Sequence, residues 1–168
     1  MQRIYAEQAQ PGPEHEMLAR MAGSWDQELK MWPERGAEPM VMRGVGESRL
    51  ILGGRFLVGE TSFEGIEEPV GFSLLGFDRR SGEYMAMGVD MSGTYWVTAR
   101  GKPTPGSADV VLSGEDYNPA LDHLQIYDFV LTWVDDDTYT WSVIFKDDIH
   151  TGGGPPFKMA ETTVRRRP

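Results

Sequence analysis

The chain has no cysteine, which excludes disulfide staples, thiolate nucleophiles, zinc–thiolate centres and iron–sulfur clusters and fits a reducing cytoplasm. Long apolar runs are missing too. No stretch approaches the roughly 18 apolar residues of a membrane-spanning helix, and Met1-Gln2-Arg3-Ile4-Tyr5-Ala6-Glu7 lacks the apolar centre of a signal peptide. The expectation is a soluble, unexported, cytoplasmic protein with no membrane partner. Basic residues are few: 16 Lys and Arg against 26 Asp and Glu leave a formal charge of −10. That field repels phosphate backbones and speaks against nucleic acid as a partner. The one basic cluster, Arg165-Arg166-Arg167, reads as a solvated chain end.

Several catalytic signatures are absent as well. No glycine-rich loop opens a helix, so phosphate cradles of the P-loop or dinucleotide type lack their basic part. No Gly-x-Ser-x-Gly elbow supports hydrolase chemistry. The three histidines show no tight metal spacing: His15 lies in a short helix, His123 opens a strand, and His150 follows Lys146-Asp147-Asp148-Ile149. Asp148 and His150 share a strand face, but two ligands do not make a metal site. No metal is expected.

What is present is β-forming. A helical pattern covers only Pro13 to Ala22, with Met17, Leu18 and Met21 on one face and Gly23 as a stop, after a flexible segment over residues 1–12. From there residues 13–168 read as one domain. Short runs rich in Val, Tyr, Phe, Trp and Thr, closed by Gly, Pro, Asp or Ser, predict ten strands at 24–32, 39–53, 55–64, 69–78, 83–91, 93–101, 108–115, 122–134, 138–149 and 156–167. Gly53-Gly54, Arg79-Arg80-Ser81-Gly82, Ser92-Gly93 and Asp135-Asp136-Asp137 read as hairpin turns. Ten consecutive antiparallel strands leave open edges unless the sheet closes, so the expected fold is an all-β, up-and-down antiparallel barrel with a short N-terminal helix. A barrel of that strand number encloses a cavity.

Strand alternation then nominates the lining. Tyr127, Phe129, Leu131 and Trp133 share one face, as do Tyr139, Trp141, Val143 and Phe145, and both faces are placed inside. Core filling competes with ligand contact at each position. Tyr127 is favoured for a ligand, because a buried phenol needs a hydrogen-bond partner. Glu47 and Glu60 face each other across Gly53-Gly54. Two adjacent carboxylates suit acid–base work, while Arg43, Arg49 and Arg55 offer ordinary ion pairs. Val41, Val45 and Ile51 form an apolar outer stripe if Gly44 and Gly46 point inward, which suits a homodimer. Gly152-Gly153-Gly154-Pro155-Pro156 is a turn, or a lid over an open end.

Gly23-Ser24-Trp25, after a short helix and at the start of the first strand, resembles the Gly-x-Trp signature of lipocalins and related calycins. The resemblance implies that Trp25 plugs the closed end and that Arg165, Arg166 or Arg167 packs across its indole. Residues 14 to 167 also resemble a bacterial domain-of-unknown-function family, numbered fifteen-seventy-nine, distantly related to nitrobindin. That likeness lies in Gly23-Ser24-Trp25, Leu52-Gly53-Gly54-Arg55-Phe56, Leu75-Gly76-Phe77-Asp78, Ser81-Gly82-Glu83-Tyr84 and a closing strand ending in Arg. It implies the barrel but no chemistry. Nitrobindin relatives hold haem through one histidine, and His150 is nearest by position; haem is the minority alternative to no cofactor. The family pattern also places an aromatic residue where this chain has Gly88, and its absence would enlarge the cavity. On that ground Tyr84, Ala86, Gly88 and Asp90 are placed inward, against the opposite choice of Met85, Met87, Val89 and Met91. Asp90 is then a half-buried acid needing Tyr95, an arginine or the ligand.

The functional expectation is binding of a small hydrophobic or amphipathic molecule by Gly88, Asp90, Tyr95, Tyr127, Phe129, Trp133, Trp141 and Phe145. The alternative is a cofactor-free isomerase, cyclase or lyase in which Asp90, Glu60 or His123 moves a proton.

Overall fold

The β-forming runs after Gly23 become ten antiparallel strands in a computed structural model that describes residues 1–107 and 109–168. They are β1 (Gly23–Met31), β2 (Met40–Ile51), β3 (Phe56–Phe63), β4 (Gly71–Asp78), β5 (Glu83–Asp90), β6 (Val97–Gly101), β7 (Asp109–Asn118), β8 (His123–Trp133), β9 (Thr138–Phe145) and β10 (Phe157–Arg166). Each pairs with its sequence neighbours, and β1 pairs with β10 from Trp25↔Arg166 to Met31↔Ala160, which closes the barrel. No strand is left with a free edge. Ala108, the first residue of the expected strand 108–115, lies outside the described residues.

The described residues also form three helices: α1 (Gln2–Gln8), α2 (His15–Met21) and α3 (Asp148–Thr151). Within the segment expected to be flexible, α1 buries no residue. It is tethered from below: Arg55 donates to the Ala9 carbonyl at 2.6 Å, and Arg79 donates to the Glu7 and Gln10 carbonyls. Two predicted strands are shorter than expected. Thr94, Tyr95 and Trp96 have strand-forming side chains, but the β5–β6 pairing stops at Gly88↔Val97. Residues 148–149 turn into α3, because the Asp147 carboxylate caps it by accepting from the His150 N–H at 3.2 Å.

One barrel end is closed by α2, whose Leu18 and Met21 are buried against fully buried Trp25. The Trp25 indole N–H donates to the Met21 carbonyl at 2.9 Å. Of the three terminal arginines, Arg166 has the inward parity. Its guanidinium lies 4.1 Å from the Trp25 ring centroid and donates to the Arg20 and Ala22 carbonyls at 2.7 and 3.1 Å, satisfying the last turn of α2. A side chain at residue 23 would start 2.8 Å from that guanidinium, with φ at +134°, so Gly23 and Trp25 form one device.

Among the described residues the weakest seam is β6–β7, where the one register pair is Arg100↔Ser113. Tyr127 bridges it from β8: its ring passes over Gly114, where a Cβ would lie 2.4 Å away, and its hydroxyl donates to the Thr98 carbonyl at 3.1 Å.

Candidate functional site

Register decides what faces inward. Trp25, Gly46, Thr61, Gly71 and Asp90 occupy one ring of paired positions running from β1 to β5, and Ser48, Gly59, Ser73, Gly88 and Val97 occupy the next. Below these lie Leu50, Leu57, Leu75, Ala86 and Ala99. The wall built from β2–β5 is therefore glycine and hydroxyl above an apolar layer. Across the barrel, Phe129 and Trp141 stack with centroids 5.8 Å apart and 28° between planes. Small residues on one side and aromatic rings on the other leave a cavity of about 340 Å³. Tyr139, Val164, Met21, Leu57 and Leu75 line it at the closed end, and Gly71 and Asp90 at the mouth. That volume lies within the usual range for small-molecule sites.

A larger concavity, about 610 Å³, lies against the outside of the barrel over β3–β8. Most of its lining, including Phe56, Leu74, Met85, Met87, Arg100 and Ile126, has outward parity. It is a surface groove between pleats. The interior cavity is the better site because it converges polar and aromatic groups from opposite walls.

The choice of inward face on 83–91 agrees with the register: Tyr84, Ala86, Gly88 and Asp90 point inward. Of the nominated residues, Glu60, Gly88, Asp90, Phe129 and Trp141 line the cavity, although the Glu60 side chain has outward parity. Asp90 sits exposed at the rim, where its carboxylate accepts from the Ser92 N–H at 2.8 Å and from the Ser92 hydroxyl. Its partner is thus a turn residue rather than Tyr95 or an arginine.

Other nominees lie elsewhere. Tyr95 is 59% exposed in the β5–β6 connection, because Ser92–Trp96 leaves the sheet after Asp90. Glu60 does pair with Glu47, but both point outward. Glu47 accepts from Ser24 and Arg43 bonds Glu28, so no interior carboxylate pair forms. The Tyr127 hydroxyl is committed to Thr98, not to open space. Trp133 packs at the closed end between Arg20, 3.6 Å from its ring centroid, and Tyr139. Phe145 stacks on His150 with centroids 3.8 Å apart and also meets Tyr127. Val41, Val45 and Ile51 point outward, with Gly44 and Gly46 inside.

His123, Asp147 and His150 form a cluster near the mouth. The Asp147 side chain is 1% exposed, and its Oδ1 lies 3.2 Å from His123 Nε2 and 2.8 Å from His150 Nδ1. Burial alone would raise its pKa, but hydrogen bonds from the His150 ring and from the His150 and Ile126 N–H groups outweigh this and hold it at about 2. The acid beside His150 is thus Asp147, not Asp148. No group of three suitable ligands gathers anywhere among the described residues. His150, the histidine nearest by position for a haem, is not among the cavity-lining residues; Phe145 stacks on one face of its ring and Asp147 holds its Nδ1.

Alternation placed Tyr139 inside but not among the ligand contacts, and sequence reasoning missed Gln27, Ser48, Ser73 and Thr162 as lining residues. Tyr139 was within reach, because it shares a face with Trp141. The serines and Gln27 carried no signal until pairing set their neighbours.

A closed ten-strand antiparallel barrel with a helix-capped end and an internal cavity defines the class of protein. Residues 10–166 match the family model of proteins of unknown function called DUF1579, and the chain belongs to that family. No curated protein matches the chain in sequence. Among solved structures, it is similar to Rv2717c from M. tuberculosis at 15% identity and a TM-score of 0.59, covering 95% of this chain and 100% of that one. It is also similar to the S-type phycobiliprotein lyase CPES from Guillardia theta at 12% identity and a TM-score of 0.57, covering 97% of each. At these identities the likeness is one of fold. Among the described residues, no helix is long and apolar enough to cross a membrane.

Proposed function

We propose that this barrel binds a small, largely apolar molecule inside its cavity. The observation that carries this reading is the cavity itself: about 340 Å³, with stacked Phe129 and Trp141 facing a wall of glycines and hydroxyls. A wall built only for stability would be filled, since small barrels pack their interiors with side chains. Here Ser73 stays exposed although it points inward, so the space reaches solvent through the mouth.

Catalysis is the weaker reading. Glu60 points outward, Asp90 is engaged by Ser92, and His123 is held by Asp147. None of the three nominated acids and bases is left facing a bound molecule from below the rim. A lyase among the barrels of similar fold does not alter this, because fold does not carry chemistry.

The test is titration with prodan, a neutral environment-sensitive naphthalene dye, together with native mass spectrometry of protein purified from its own host. Saturable uptake of one dye per chain, with a blue-shifted emission and quenched tryptophan fluorescence, is the expected result. Non-saturating, weak partitioning would remove the basis for the proposal.

A further inference from the structure

Three tyrosines are buried inside the barrel: Tyr84, Tyr127 and Tyr139. Two have spent their hydroxyls, Tyr84 on the Glu14 carbonyl at 2.9 Å and Tyr127 on the Thr98 carbonyl at 3.1 Å. Tyr139 has not. It is only 6% exposed, yet its hydroxyl makes no hydrogen bond among the described residues. Every fully buried side-chain nitrogen or oxygen in the described chain has a partner. A partnerless hydroxyl must therefore touch open space, and for an inward residue lining the cavity floor that space is the cavity. A hydroxyl that faces the cavity with no protein partner is free to bond a bound molecule in place of water.

The ring is held rigidly. Trp25 and Trp133 meet it at centroid distances of 5.1 and 5.0 Å and interplanar angles of 77° and 57°. Burial raises the phenol pKa, against a smaller opposing pull from Arg166, so at neutral pH the group is a hydrogen-bond donor. The deep end of a bound molecule therefore meets a fixed donor. Above it, a flat body fits between the Gly59 and Gly88 side and the Phe129–Trp141 pair. The Ser48 and Ser73 hydroxyls lie 3.3 and 2.7 Å from the point where a Gly59 Cβ would sit.

Charge narrows the class further. Among the described residues, the one arginine or lysine of the strands with inward parity, Arg166, is occupied by the Trp25 ring and two helix carbonyls. Inward groups at the mouth include the carboxylates of Asp90 and Asp116. An anion would pass two like charges and find no counter-ion.

We propose that the cavity takes an uncharged, flat, ring-bearing molecule, and that Tyr139 is its polar anchor, donating a hydrogen bond to a carbonyl-type oxygen at the deep end. This rests on the reading of the barrel as a binding protein.

The probes are 2-acetylnaphthalene and 2-isopropenylnaphthalene, which differ only in exchanging C=O for C=CH2, titrated by calorimetry into the wild-type chain and Tyr139→Phe. Tyr139→Phe should weaken the ketone about tenfold and leave the alkene within about twofold. Unchanged alkene affinity reports an intact cavity, and the unfolding midpoint of the variant should not fall, because no protein hydrogen bond is lost. If both probes bind and the substitution affects neither, or both equally, Tyr139 is not the anchor and the binding reading stands. Failure of both probes to saturate the wild-type cavity overturns both.

Discussion

Tyr127 and Tyr139 occupy neighbouring strands and share inward parity, yet only geometry beyond parity separates their roles. Tyr127 stands beside a glycine and reaches across β7 to the Thr98 carbonyl of β6. Its phenol is thus a structural bolt: Tyr127→Phe should cost about 1–2 kcal/mol in urea denaturation, because a carbonyl loses its partner. A change within experimental error would show that water replaces the hydroxyl freely. Trp25 carries more. Its indole is fully buried, hydrogen-bonded to Met21 and covered by Arg166, so Trp25→Ala should cost about 3–5 kcal/mol. A loss under about 1 kcal/mol would make it peripheral to the closed end. These contacts also explain what was legible at this scale. Gly-x-Trp pointed to the plug, but only pairing with Trp25 selects Arg166, since Arg165 pairs with Asp26 and Arg167 lies 3.3 Å from the Asp26 carboxylate.

Among the elements, the strands were legible because period-two alternation and turn residues agree from β1 to β10. What alternation cannot show is depth along the barrel axis. Phe129 and Phe145 have the same parity, but Phe129 lines the cavity whereas Phe145 packs under α3 near the mouth. α3 itself was hidden because its four residues are too few for helical periodicity, and Asp147 read as strand instead of cap. That cap gives the fold an acid-sensitive corner. Asp147 titrates at about 2 against roughly 3.9 in an unfolded chain, so its contribution is fully present above about pH 4 and is lost as pH falls toward 2. The loss is at most about 3 kcal/mol. Asp78, held at about 2 by hydrogen bonds from Arg80, adds a slope of the same sign at the closed end. Urea midpoints measured between pH 5 and 2 should therefore fall for the wild-type chain and fall less steeply for Asp147→Asn. Equal slopes would mean that the two histidines do not hold the carboxylate in solution.

For the whole molecule, the cavity is a difference between two walls, and neither wall makes it alone. β8 and β9 supply Phe129, Trp141 and Val143, while β2–β5 supply glycines where large side chains would meet them. Gly88 is the place where this balance is easiest to shift. A Cβ there meets only the Val97 Cγ2 at 3.6 Å and the Phe72 carbonyl at 3.9 Å, both ordinary contacts. At Gly44, by contrast, a Cβ would come within 2.0 Å of the Ser62 carbonyl, so substitution would distort the strand. Gly88→Trp is therefore expected to keep the barrel, with an unfolding free energy within about 1 kcal/mol of wild type or above it, because the indole enters space that is open rather than packed. The same indole points toward Phe129 and Trp141 and takes the volume a ligand would use. Prodan affinity should drop at least tenfold, and the 2-isopropenylnaphthalene site should vanish with it, whereas Glu38→Trp in the exposed β1–β2 connection should change neither. If the Gly88 variant folds and still binds prodan as tightly as wild type, the dye lies outside these two walls, and the outer groove over β3–β8 becomes the surface to mutate next.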